Sequence, residues 1–138
     1  MERYPKQKLD PKWIQTGITP DIVEWSKTDE KGALTTGQLR KFFGEVRRID
    51  ADVIKHKTDI PMLCPLLAYA VGRDKKNVRG MMENKTKIDD FEKEMSSAIK
   101  AIRMDTEEHL KSDYHNFVQI FESIVAFHKY YGGQESNN

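Results

Sequence analysis

The stretch Leu34-Thr-Thr-Gly-Gln-Leu-Arg-Lys-Phe-Phe-Gly-Glu-Val-Arg-Arg-Ile49 decides how this chain reads. Thr35 or Thr36 supplies a helix cap, because a side-chain oxygen there can accept from backbone N–H groups that the first turn leaves without partners. Leu39, Phe42, Phe43, Val46 and Ile49, continued by Val53 and Ile54, recur at helical spacing and share one face. The spacing predicts one long helix over residues 36–57, stopped before Thr58 and Pro61. At about 100° per residue, Lys41, Arg48 and Lys55 fall nearly opposite the apolar stripe, and Arg40 and Arg47 line its flank. Gly44 keeps space between them. Separated cations along a rod suit a phosphate backbone. The same face also reads as an ordinary solvated surface: Lys41 with Glu45, and Arg48 with Asp52, have the i,i+4 spacing of weak intrahelical ion pairs.

Working outward toward the N-terminus, Asp29-Glu-Lys-Gly32 is a turn. Thr19-Pro20 opens a short helix through Ile22, Val23 and Trp25. Residues 1–18 are polar, without periodicity, and read as a tail. Toward the C-terminus, Pro65 opens a helix over residues 66–71 that stops at Gly72. Arg73-Asp-Lys-Lys-Asn77 reads as a basic loop and residues 78–83 as a short helix. Thr86-Lys-Ile-Asp89 resembles a capping box. It introduces a long helix with a stripe of Ile88, Phe91, Met95, Ala98, Ile99 and Ile102. A last helix over residues 113–131 carries Tyr114, Phe117, Ile120, Phe121, Ile124, Val125 and His128 on one face. Gly132-Gly133 stops it, and residues 134–138 form a disordered tail. No apolar run alternates with period two. The expected fold is therefore all-α, a compact bundle of about five helices in a single domain over residues 19–133.

With 23 Lys and Arg against 22 Asp and Glu, the net charge is only +1, so any nucleic-acid role needs local clustering of cations. The second such cluster is Arg73, Lys75, Lys76 and Arg79. The single cysteine, Cys64, excludes an internal disulfide, suits a reducing compartment and reads as a small buried hydrophobe. No apolar run approaches the ~20 residues of a membrane helix, and the first residues lack a signal core. These features predict a cytoplasmic protein with no membrane partner.

Catalytic chemistry finds little support. The histidines are His56, His109, His115 and His128, with no His-Glu-x-x-His pattern. His109 and Asp113 are one helical turn apart, but zinc takes about three or four ligands. A hydrolase built on His109, Asp113 and His115 is thus a distant rival. His128 lies on an apolar stripe and reads as a hydrogen-bonded core residue. Tyr130 and Tyr131 beside Lys129 would suit base stacking, although Tyr131 also fits the core stripe. No Gly-rich phosphate loop occurs. A helix-turn-helix is disfavoured by the unbroken stripe from Leu39 to Ile54. The expectation is no catalytic residue, no metal and no cofactor.

Three segments in order, Leu34-Thr-Thr-Gly-Gln-Leu-Arg-Lys-Phe-Phe, Leu66-Leu-Ala-Tyr-Ala-Val-Gly-Arg73 and the run from Phe117 through Phe121-Glu-Ser-Ile-Val-Ala-Phe-His-Lys-Tyr-Tyr-Gly-Gly133, together resemble one family. It is the small subunit of the type III-A CRISPR effector, the Csm complex. The resemblance covers roughly residues 20–133. Gly37 stands where the family usually has Ser, and Phe127 where it often has Tyr. The resemblance implies a compact helical, non-catalytic protein of antiviral RNA-guided defence. Such subunits self-associate as a minor filament beside the backbone subunit, along guide RNA and target RNA. Carried onto this chain, it implies RNA contact by Arg40, Lys41, Arg47 and Arg48; Arg73, which matches the Gly-Arg motif, is a further candidate, as is Lys55 from its place in the charge spacing.

Overall fold

The structure is a computed structural model that describes residues 19–29 and 31–131; the expected tails, at residues 1–18 and 134–138, and the Gly132-Gly133 stop lie outside the described residues. Elements follow in the order α1 (Thr19–Trp25), α2 (Thr36–Asp50), α3 (Leu63–Arg73), β1 (Lys75–Val78), β2 (Met81–Asn84), α4 (Ile88–Lys100) and α5 (Glu107–Tyr130), with a 3-10 turn at Lys57–Asp59. The fold is mainly α rather than the expected all-α, because a β-hairpin joins α3 to α4.

α2 starts as its sequence demands. Thr35 accepts from the Gln38 backbone N–H at 3.1 Å, and the Gln38 side-chain oxygen accepts from the Thr35 N–H at 2.8 Å, a reciprocal capping box. The helix ends at Asp50, about two turns earlier than expected. Residues 51–56 form successive turns, and the Asp52 carboxylate accepts from the Lys55 N–H at 3.2 Å. A short side chain competing for nearby backbone donors in this way favours turns over helix. Val53 and Ile54 still pack partly against the core, but from outside the helix.

α3 is longer than expected at both ends. It starts at Leu63, which places Pro65 in the first turn, where its missing N–H costs no hydrogen bond. It runs through Gly72 to Arg73. The segment read as a helix over residues 78–83 is the hairpin: Val78 pairs with Met81 across Arg79-Gly80, and both turn residues have positive φ. Asn77 accepts from the Gly80 N–H at 2.8 Å. The strands are almost wholly exposed, so no apolar alternation marked them in the sequence.

Thr86 does not form the expected capping box, since α4 begins at Ile88 with no side-chain cap. α5 begins at Glu107 instead of Asp113, with Thr106 accepting from the His109 N–H at 3.0 Å. Its apolar stripe is buried as read through His128, with Val125 partly covered. Tyr131 leaves it: Tyr130 is 79% and Tyr131 38% exposed. Cys64 is partly buried against the core.

The stripes meet in one aromatic cluster. Phe91 of α4 lies 5.5 Å from Trp25 of α1, 6.2 Å from Phe42 of α2 and 5.9 Å from Phe121 of α5. Tyr114 is buried and donates to the Val46 carbonyl at 2.7 Å, which satisfies its hydroxyl and ties α5 to α2. α2 packs on α5 along one edge and on α3 along the other. The candidate site lies where α2 and α3 diverge toward solvent.

Candidate nucleic-acid interface

Two polar junctions hold this region in place. The first is Asp74, buried just after α3. Its carboxylate accepts from the Thr86 N–H and hydroxyl, each at 2.9 Å, from the Asn84 amide at 3.3 Å and from the Gln38 amide at 3.4 Å. The cap of α2, the end of α3 and the hairpin are thereby locked to one another. Gly32 pairs with Thr86 in a parallel bridge, and a Cβ at Gly32 would sit a tight 3.1 Å from the Lys85 carbonyl, so the close approach favours glycine. The second junction is His128, 2% exposed, whose Nε2–H donates to the Leu34 carbonyl. That bond requires a proton on Nε2, because a carbonyl oxygen can only accept. Lys87, also buried, donates to the Glu24 and Lys27 carbonyls at 2.8 and 2.9 Å and to Asp29 at 2.9 Å. It closes the C-terminal end of α1, a role that no sequence pattern suggested.

Between α2 and α3, above these junctions, lies an open cleft of about 310 Å³. Lys41 comes from α2, Arg73 from the end of α3 and Lys85 from the segment after β2. Phe42, Leu67 and Ile88 give it apolar walls, and Tyr69 and Leu66 stand at its edge, both exposed. Leu66, Tyr69, Ala70 and Arg73 fall at helical i, i+3, i+4, i+7 spacing, so one face of α3 lines the cleft. That spacing was available in the sequence, but Tyr69 was missed because the segment was read as an apolar run ending at Gly72, and Lys85 because only the hairpin brings it to the cleft.

All six sequence-predicted cations are exposed, but they do not form one row. Lys41 and Arg73 share the cleft. Arg47 lies on the other flank, its guanidinium 5.6 Å from the Phe43 ring, and Arg40 is on that flank too. Arg48 takes both Glu45, at 3.0 Å, and Asp59, at 3.1 Å, and these hydrogen bonds raise its pKa, Glu45 first. The expected Arg48–Asp52 pair does not form, since Asp52 is turned to the Lys55 N–H. Nor does Lys41–Glu45: Arg48 holds Glu45, and among the described residues Lys41 has no ion-pair partner. Lys55 lies beyond the end of α2, so it does not continue the seven-residue row of Lys41 and Arg48. In the second cluster, Lys75 and Lys76 project to opposite faces of β1, and Arg79 sits in the hairpin turn.

The hydrolase trio is dispersed. Asp113 is buried and held bidentately by Arg103, at 2.9 Å to each oxygen, with the Arg103 backbone N–H also at 2.9 Å. Burial pushes the Asp113 carboxyl up, but the Arg103 hydrogen bonds and charge outweigh this and hold it below the usual range. His109 instead meets Asp105 at 2.9 Å, and His115 is exposed elsewhere on α5. Among the described residues no three His, Cys, Asp or Glu side chains are placed to hold a metal ion, and no helix is long and apolar enough to cross a membrane.

The three segments singled out in the sequence converge. Gln38 of the first meets Asp74 directly after the second, and His128 of the third meets Leu34 of the first. No curated protein and no solved structure matches the chain. The family model described as Csm2 Type III-A matches residues 22–134, from the core residue Ile22 of α1 to beyond the end of α5. A match of that extent, on a helical fold pinned where its recognisable segments meet, places this chain in the Csm2 family, the small subunits of the type III-A CRISPR complex.

Proposed function

We propose that this subunit is non-catalytic, works without a cofactor in the cytoplasm, and contacts the sugar–phosphate backbone of guide and target RNA during antiviral defence. One observation carries the reading: cations from three separate segments, Lys41, Arg73 and Lys85, line one open cleft without ion-pair partners among the described residues. An ammonium or guanidinium that no carboxylate neutralises is available to a phosphate, and such contacts give affinity without reading sequence. Arg40 and Arg47 extend the basic surface over the far flank of α2, whereas Arg48 is already engaged with two carboxylates. Backbone contact alone suits an assembly whose specificity comes from pairing between guide and target. Copies of the subunit would follow one another along the RNA as a filament beside the backbone subunit, and the exposed Met81 and Met82 of the hairpin offer apolar contact to neighbours.

The rival reading is a purely structural helical module with no RNA contact. It gains weight from the way the recognisable segments serve the core and its junctions. Retention of target RNA by the assembled complex separates the two. With Arg40, Lys41, Arg47, Arg73 and Lys85 all changed to Ala, retention falls on our reading; unchanged retention in a correctly assembled complex selects the structural module.

A further inference from the structure

We infer that the α2–α3 cleft takes one unpaired nucleotide, its base stacked on Tyr69 and its flanking phosphates held by Lys41, Arg73 and Lys85. This rests on the RNA-contacting reading and makes one part of it specific. A surface that only reads phosphates has no need of an aromatic ring, yet Tyr69 is 66% exposed at the rim of the cleft. The Arg73 guanidinium lies 5.8 Å from the ring centroid, so an arginine already stacks against the tyrosine. Aromatic rings beside cations are how proteins hold single-stranded nucleic acid, because every base has a face to stack and every linkage a charge to neutralise. The apolar walls formed by Phe42 and Leu67 would shelter the base, and their ring and branched side chains carry no groups that select one base over another.

Size and charge narrow the occupant. About 310 Å³ lies at the bottom of the range of about 300–1,000 Å³ for small-molecule sites, room for one ring system with its sugar and not for a helix or a duplex. The acid nearest the cleft, Asp74, is saturated by Thr86, Asn84 and Gln38, so it leaves the three cations to the ligand. A paired base has both faces covered by its neighbours and cannot reach Tyr69; a splayed one can. An acidic, aromatic segment of another subunit would be the competing occupant.

The test uses the full-length chain with three RNAs: a single strand carrying a fluorescent adenine analogue, the same strand with that base removed, and its duplex. Wild type should bind the base-bearing strand about tenfold more tightly than the other two, a ratio in keeping with stacking of one base, and quench its fluorescence. Tyr69→Ala should remove the preference and the quenching, and Tyr69→Phe should keep both. Changing Lys41, Arg73 and Lys85 to Ala should weaken all three RNAs. If Tyr69→Ala alters nothing while the triple variant weakens every RNA, the nucleotide pocket is overturned and phosphate contact stands. Equal weakening of all three RNAs by Tyr69→Ala would also overturn the pocket. If neither variant changes binding, both readings fall. A photo-crosslinker at position 69 that reacts with RNA in the assembled complex supports the pocket; one that reacts only with another subunit overturns it.

Discussion

The first turn of α2 and its next turn obey opposite rules. At the first turn, Gln38 bonds to Thr35, Thr86 and Asp74, and the preceding Leu34 carbonyl receives His128. One turn on, Lys41 faces open solvent with no ion-pair partner among the described residues, above a cleft that Arg73 and Lys85 share. The difference separates what builds this subunit from what it offers to a partner. Each polar group of the junction is committed to another segment of the chain, so a change there should be felt as lost folding. The cations of the cleft have no ion-pair partner among the described residues, so a change there should be felt as lost binding.

The largest effect should come from the core beneath both regions. Phe121 meets Phe42 at 5.2 Å, Phe43 at 5.3 Å, Phe91 at 5.9 Å and Phe117 at 6.4 Å, and Phe121→Ala should cost about 3–5 kcal/mol in urea unfolding. A loss under ~0.5 kcal/mol would mean that the helix faces are assigned wrongly. Next comes the junction itself. Asp74→Ala strands donors of Thr86 and Asn84 and should cost about 3 kcal/mol, with faster amide exchange across β1 and β2. An isolated two-stranded hairpin is marginal, so unchanged exchange would show that Asp74 does not anchor it. His128→Phe keeps the bulk but leaves the Leu34 carbonyl without its donor, for about 2 kcal/mol.

Acid should expose a smaller contribution. Because Arg103 holds the folded Asp113 carboxyl below its ordinary value, the stability it adds is complete above the unfolded carboxylate pKa of about 3.9. That stability disappears as pH falls through the still lower folded value. Asp113→Asn should therefore flatten the decline in urea midpoint below about pH 4. A variant with the wild-type slope would show that other carboxylates carry the acid response. The smallest effect on folding is expected at the cleft, where Lys41→Ala and Lys85→Ala should each stay within about 0.5 kcal/mol of wild type, as befits exposed side chains.

The same contrast explains what could be read in advance. Buried helix faces announce themselves: the stripes of Leu39, Phe42 and Val46, of Phe91 and Met95, and of Phe117 to His128 are all in the core. The hairpin did not, because strands that bury nothing leave no alternation, and its turn is Arg79-Gly80 rather than the familiar Asn-Gly. The end of α2 was misplaced because Val53 and Ile54 keep the helical spacing while leaving the helix. On the candidate interface, composition gave the cations but not their company. Arg48 takes both Glu45 and Asp59, the latter eleven residues away, and its hold on Glu45 leaves Lys41 available. Lys85 reaches the cleft only because the hairpin folds back. The recognisable segments hold both junction residues, Leu34, Gln38 and His128, and cleft residues, Lys41, Tyr69 and Arg73, so they identified the family without telling the two groups apart.

The measurement that bears most directly on that surface is the salt dependence of single-stranded RNA binding. Each phosphate that a cation engages contributes about 0.7 to the log–log slope. With Arg40, Lys41, Arg47, Arg73 and Lys85 changed to Ala, the plot should become shallower by about 3.5, while the urea midpoint stays near that of wild type. An unchanged slope in a folded variant would contradict phosphate contact by this face.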